Sequence, residues 1–137
     1  MNDTAGPIRI ARRRSLFEHY ISRRDQGLIA SDAIEGRHTC PCCGYPTLTE
    51  RGARETCVLC QWQDEGQDDP VADQVWDGAN TDYALSEARA NYEANRTMYR
   101  ADDAPAFDRE TSDHRLEEKE RIATRFDAAL KEGLIEE

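Results

Sequence analysis

The sequence predicts a small α+β fold, a β-hairpin core stapled by a metal ion with α-helices flanking it at both ends. Three observations predict it. Two Cys-x-x-Cys pairs stand thirteen residues apart in the middle of the chain. Short β-prone runs and closely spaced turn residues surround them. Apolar residues recur at helical spacing on either side. The chain has 137 residues, which suits one domain with extensions. Charged residues make up 34% and hydrophobic ones 38%, so a large apolar core is excluded. A core that small needs a staple, such as a metal or a partner chain.

Residues 1–37 read as an N-terminal amphipathic helical extension. After a frayed start, a helix is predicted over 8–26, because Leu16, Phe17, Tyr20 and Ile21 fall on one face. Arg12, Arg13, Arg23 and Arg24 then lie mainly on the wet faces, and Gly27 stops the helix. The expected role is docking of the apolar stripe on the next domain.

Residues 38–100 read as the metal-stapled domain. Pro41, Gly44, Pro46, Gly52, Gly66, Pro70 and Gly78 supply turns. Thr47-Leu48-Thr49 and Glu55-Thr56-Cys57-Val58 are the predicted strands, with Arg51-Gly52 at the hairpin tip. A helix over 86–99 follows. Ser86 is its expected N-cap, and Glu87 suits the positive end of its dipole. Asp102-Asp103-Ala104-Pro105 breaks it. Residues 101–137 carry a last helix over 113–132, with Leu116, Ile122, Ala123, Phe126, Ala129 and Leu130 on one side and Gly133 as its stop.

Chemistry is concentrated in the cysteines. Cys40, Cys43, Cys57 and Cys60 have the C-x2-C-x13-C-x2-C spacing of a zinc site. A Cys-x-x-Cys turn points two sulfurs at one spot, and two such turns supply four ligands about 2.3 Å from a Zn2+ ion. Four thiolates close the coordination sphere and leave no place for a catalytic water, so the site is structural and zinc-ribbon-like. Cys42, the fifth cysteine, is expected to point away from the metal as a free thiol. Rubredoxin-like iron fits the same ligands. A glutaredoxin-like redox site lacks its βαβ setting, and two disulfides lack a secretory signal. His19, His38 and His114 have no metal-site spacing and read as ordinary histidines.

Cys40-Pro41-Cys42-Cys43-Gly44-Tyr45 and Cys57-Val58-Leu59-Cys60-Gln61-Trp62, followed by Gln63-Asp64-Glu65-Gly66-Gln67-Asp68-Asp69-Pro70, form an ordered motif. With Val75-Trp76, Gly78, Asn80 and Leu85 through Tyr92, it resembles the bacterial cysteine-rich CPCC family over roughly residues 38–100. The resemblance implies a fold unit and leaves the activity open.

Net charge is −10, and the sequence pI is near 4.8. Such a chain repels nucleic acid and anionic membranes and attracts basic partners. The charge is uneven, since Arg9, Arg12, Arg13, Arg14, Arg23, Arg24 and Arg37 precede the first cysteine. Past the last cysteine, carboxylates crowd one loop. Trp62, Asp64, Glu65, Asp68, Asp69, Asp73, Trp76 and Asp77 are the expected partner-binding residues, aromatic anchors among acids that engage Arg and Lys. The Asp77–Asp82 run has a calcium-loop look but lacks the twelfth-position Glu, where Ala88 stands. No nucleophile, phosphate loop or histidine dyad joins the carboxylates, so no enzyme is expected. The expected function is a cytoplasmic, zinc-binding protein-interaction module. Its sharper form is an acidic immunity-type inhibitor of a basic bacterial toxin or enzyme. The alternatives are a nucleic-acid-binding or transcription-linked zinc ribbon, carried by Arg12-Arg13-Arg14, and a redox enzyme using Cys40, Cys42 or Cys43.

Overall fold

The computed structural model describes residues 5–28, 34 and 36–131, with side chains from Arg9 onward. Four α-helices follow in chain order: α1 (Ala5–Asp25), α2 (Leu85–Asn95), α3 (Ala106–Glu110) and α4 (Asp113–Lys131). Between α1 and α2 runs a long irregular segment with one 3-10 turn, Asp69–Val71.

The predicted β-hairpin core is not there. Among the described residues the extended pairing is limited to isolated bridges, His38 with Leu48, Thr56 with Gln63 and Val75 with Ala84. The fold class is therefore corrected to a helical one around an irregular cysteine-bearing centre. The reason is local. Each Cys-x-x-Cys turn spends its own main-chain groups on itself, leaving one residue on each side to bridge. The predicted tip is closed by side chains instead of a ladder. The Asp64 carboxylate accepts from Arg51 Nε (2.7 Å) and from the Gly52 N–H (2.7 Å), and Glu55 accepts from the Thr49 N–H (2.8 Å).

The helices flank this centre as the periodicity predicts, with shifted ends. α1 begins at Ala5, three residues early, with Pro7 in the first turn where a missing N–H costs nothing. It ends before Gly27, which takes φ +77. α2 starts one residue before the predicted Ser86 cap. Ala84 caps it without a side-chain bond, and the Ser86 N–H donates instead to the Ala72 carbonyl (2.9 Å). It stops at Asn95, short of the predicted Tyr99, because Arg96 turns left-handed at φ +67. α3 was not predicted. The expected stop at Gly133 lies outside the described residues.

Two cores result. One surrounds the cysteines with Tyr45, Leu48, Leu59, Trp62, Tyr83, Leu85, Ala88, Tyr92 and Met98. The other joins α1 to α4 through Tyr20, Ala129 and Leu130, with Ile34, and with Leu16, Phe17, Ile21 and Phe126 packed on it. The α1 stripe thus docks on α4. No helix among the described residues is long and apolar enough to cross a membrane.

Candidate metal centre

Two near-identical knuckles build the centre. In the first, the Gly44 N–H donates to the Cys40 carbonyl (2.8 Å) and the Cys40 N–H to the Tyr45 carbonyl (2.8 Å). In the second, the Gln61 N–H donates to the Cys57 carbonyl (2.9 Å) and the Cys57 N–H to the Trp62 carbonyl (2.9 Å). Both knuckles need a left-handed residue after the second cysteine. Gly44 supplies it at φ +82, and Gln61 at φ +72. Gln61 is held there by its own side chain, which accepts from Thr97 Oγ1 (2.6 Å) and Lys119 Nζ (3.2 Å).

Gly44 has a second constraint. α1 crosses directly over it, and a Cβ there would sit 3.1 Å from the Ile10 carbonyl oxygen. Gly44→Ala adds this clash to a left-handed penalty of about 1–2 kcal/mol. The expected outcome is a lower melting temperature, with faster proteolysis within α1 than within α2. An unchanged melting temperature would contradict the α1 placement.

The knuckles face each other and bring four fully buried sulfurs together. The Sγ atoms of Cys40, Cys43, Cys57 and Cys60 all lie within 4.8 Å of one another. Cys40 and Cys60 are 3.5 Å apart and Cys43 and Cys57 3.7 Å apart, all as free cysteines. Thiolates 2.3 Å from a tetrahedral metal are separated by about 3.8 Å, so the donor set fits one metal ion. Cys42 lies outside the quartet, buried, with its N–H toward Cys40 Sγ (3.4 Å). The Leu59 N–H approaches Cys57 Sγ in the same way (3.4 Å), and Thr47 Oγ1 lies 3.0 Å from that sulfur. Burial pushes the Cys40 and Cys60 thiols well above the usual thiol range. At Cys57 burial acts the same way, but hydrogen bonds from Cys40, Cys43, Cys60 and Thr47 outweigh it and hold the thiol well below that range. Without a cation such a cluster resists full ionisation, whereas a bound metal would compensate four thiolates.

The expected partner-binding residues divide in two. Trp62 and Asp64 are fully buried and cannot meet a partner. Trp62 closes the core behind the cysteines, and Asp64 holds the Arg51-Gly52 turn. Glu65 is half-buried, accepting from the Ala79 N–H (3.1 Å). Asp68 is spent within the molecule on Arg14 (2.9 and 2.8 Å) and Arg51 (3.2 Å). Burial opposes its charge, yet these guanidiniums keep its carboxyl well below the usual range. Asp69, Asp73, Trp76 and Asp77 remain exposed, although Asp69 also meets Arg89 (2.6 Å).

Several residues escaped sequence reasoning. Arg13, expected on a wet face, donates to the Cys43 carbonyl (2.7 Å) and to Glu93. Arg89 donates to the Pro41 carbonyl (2.9 Å) and Arg115 to the Val58 carbonyl (2.9 Å). Lys119, only 2% exposed, joins Gln61, the Arg96 carbonyl (2.8 Å) and Glu110 (3.2 Å). Each left a signal, a charge at helical spacing on an apolar stripe: Arg13 with Leu16, Phe17 and Tyr20, Arg89 with Leu85 and Tyr92, Arg115 with Ile122 and Phe126, and Lys119 with Leu116, Ile122 and Phe126. Residues 38–104 match the model of a family described as Cysteine-rich CPCC. Neither a curated protein nor a solved structure matches the chain.

Proposed function

We propose, given that residues 38–104 belong to the cysteine-rich CPCC family, that this chain is a non-enzymatic zinc-binding module that presents a protein-interaction surface. Zinc is the metal that four thiolates in a closed tetrahedron suit best, and a closed sphere favours a structural role over chemistry. The carrying observation is a rigid loop that exposes apolar side chains among carboxylates. Val75 is 51% and Trp76 41% exposed, between Asp73 and Asp77. The loop is pinned from within. Gln67 Nε2 donates to the carbonyls of Val71 (2.9 Å) and Gln74 (2.8 Å), and Asn80 Nδ2 donates to the Gln63 carbonyl (2.7 Å). A loop already fixed loses little entropy on binding.

The partner this favours is basic, with an Arg or Lys on the Trp76 face. In its sharper form the partner is a basic bacterial toxin or enzyme that the module neutralises from the cytoplasm. The nucleic-acid reading needs free arginines in Arg12-Arg13-Arg14, and it loses support because Arg13 and Arg14 are spent on Glu93 and Asp68. The test is affinity capture from the native host with the intact protein and with Trp76→Ala. A basic protein held by the first and bound at least tenfold more weakly by the second is the expected result, the size of an aromatic hot spot. Equal capture by both would refute the surface.

A further inference from the structure

The two knuckles share one feature that the ligands alone do not explain. The peptide joining Pro41 to Cys42 points its N–H at Cys40 Sγ (3.4 Å) and its carbonyl at Arg89 Nε (2.9 Å). The peptide joining Val58 to Leu59 points its N–H at Cys57 Sγ (3.4 Å) and its carbonyl at Arg115 Nη2 (2.9 Å). Each knuckle therefore has one peptide bridging a cation to a sulfur, at the same place in the turn. The arginines come from different helices, α2 and α4, and Arg115 lies outside the family segment. Packing alone has no reason to repeat that arrangement.

We propose that Arg89 and Arg115 are positioning residues for the metal centre, each polarising one knuckle peptide so that its N–H stabilises a thiolate. A guanidinium on a carbonyl strengthens the hydrogen bond made by the N–H of the same peptide, because linked hydrogen bonds polarise one another. Four thiolates around a divalent metal carry a net charge of −2, and Arg89 and Arg115, which also pair with Asp69 and with Glu110 and Glu118, each face it across one peptide. Arg13 on the Cys43 carbonyl and Lys119 on Gln61 add positive charge on the same two turns. In a chain of net charge −10, these cations stand where the metal centre needs them. Residues holding metal ligands from behind commonly set metal affinity by 10–100-fold.

This inference rests on the cysteines holding a metal, so the experiment reads that first. The full-length protein is loaded with zinc, and zinc is competed off with a chelator. Arg89→Gln and Arg115→Gln should each weaken zinc by about tenfold and the double variant by about a hundredfold. Arg89→Lys and Arg115→Lys, which keep the charge, should recover most of the loss. Arg100→Gln is the control, since Arg100 pairs with Glu87 and Asp82 and touches neither knuckle. It should lower stability without changing zinc affinity. In the cobalt-loaded protein, removing either cation raises the energy of the sulfur lone pairs, so the sulfur-to-cobalt band should move to longer wavelength. A role in folding alone would leave that band in place. Variants that match the wild type in affinity and band position, or a control that weakens zinc equally, would overturn the arginine assignment alone. A wild-type protein that takes up no metal would overturn it together with the metal centre.

Discussion

If the cysteine quartet holds a metal ion, removing it with a strong chelator is expected to unfold residues 38–104, seen as loss of the cooperative melting transition and a collapse of tertiary circular dichroism. Binding of structural zinc in small domains is worth about 10–16 kcal/mol, which is as large as the whole net stability of a typical domain. The larger core is assembled on the cysteines themselves, with Trp62, Leu59, Tyr92 and Leu48 packed around them, so removing the ion removes its scaffold. Cys57→Ser should act like the chelator. It deletes the sulfur that gathers the Thr47 hydroxyl and the Leu59 N–H. Cys42→Ser should retain about one metal per chain by elemental analysis, since Cys42 lies outside the quartet. Full metal content after Cys57→Ser would refute the ligand set.

The second large effect lies at Lys119. Its ammonium is buried against the Glu110 carboxylate, which also meets Arg115 (2.9 Å) and Arg109 (3.3 Å). Burial opposes the charge on Glu110, but Lys119 and its neighbours hold the carboxyl below the usual range. Burial pushes the Lys119 ammonium below its usual range; Glu110 offsets this only in part, and the nearby Arg115 charge adds to the lowering. Lys119→Met strands the Arg96 carbonyl, removes one of the two donors to the Gln61 side chain and takes one cation from a buried carboxylate. The expected cost is about 3 kcal/mol in urea unfolding, at the lower end for a broken buried pair because two arginines stay behind. Adding Glu110→Leu should restore part of the loss, since a buried pair replaced by apolar groups is often tolerated. A loss below about 1 kcal/mol for Lys119→Met would show that the ammonium is not part of the interior. Acid gives the pair a second readout, through Glu110. The folded carboxyl lies below its unfolded value of about 4.3, so its contribution is complete above that pH. It fades as pH falls through the lower folded value. The Glu110→Leu variant should therefore lose less stability than the wild type below about pH 4.

The parts of this molecule that were legible in the sequence are those that repeat or alternate. The quartet follows from two Cys-x-x-Cys turns, and α1 and α4 follow from stripes such as Leu16, Phe17, Tyr20 and Ile21. What failed was inference about pairing. Thr47-Leu48-Thr49 is β-prone, yet Leu48 makes one bridge and Thr47 serves a sulfur, because the knuckles leave nothing for a ladder to continue. The acidic loop read as surface, yet Asp64 and Asp68 are structural, since a string of letters does not show that Arg14 and Arg51 come to meet them. Arg13 was expected on a wet face for the same reason, and the sequence does not show which carbonyls Arg13, Arg89 and Arg115 reach. Periodicity reports which face of a helix is covered and is silent on what covers it.

The packing of α1 on α4 has a consequence for how the chain is made. The ribosome releases α1 before α4, with more than 80 residues between Asp25 and Asp113. The family segment ends at residue 104, so the metal centre has all its ligands before α4 emerges. Of the partners of the α1 apolar stripe, Ile34 emerges early, but Ala129 and Leu130 follow only with α4. α1 is held meanwhile through its N-terminal turns, where Ile10 lies over Gly44, Arg13 bonds the Cys43 carbonyl and Arg14 bonds Asp68. Those contacts are available as soon as the first half is out. The N-terminal turns of α1 are thus suited to act as a temporary anchor that keeps a nascent hydrophobic helix on its own molecule until α4 arrives.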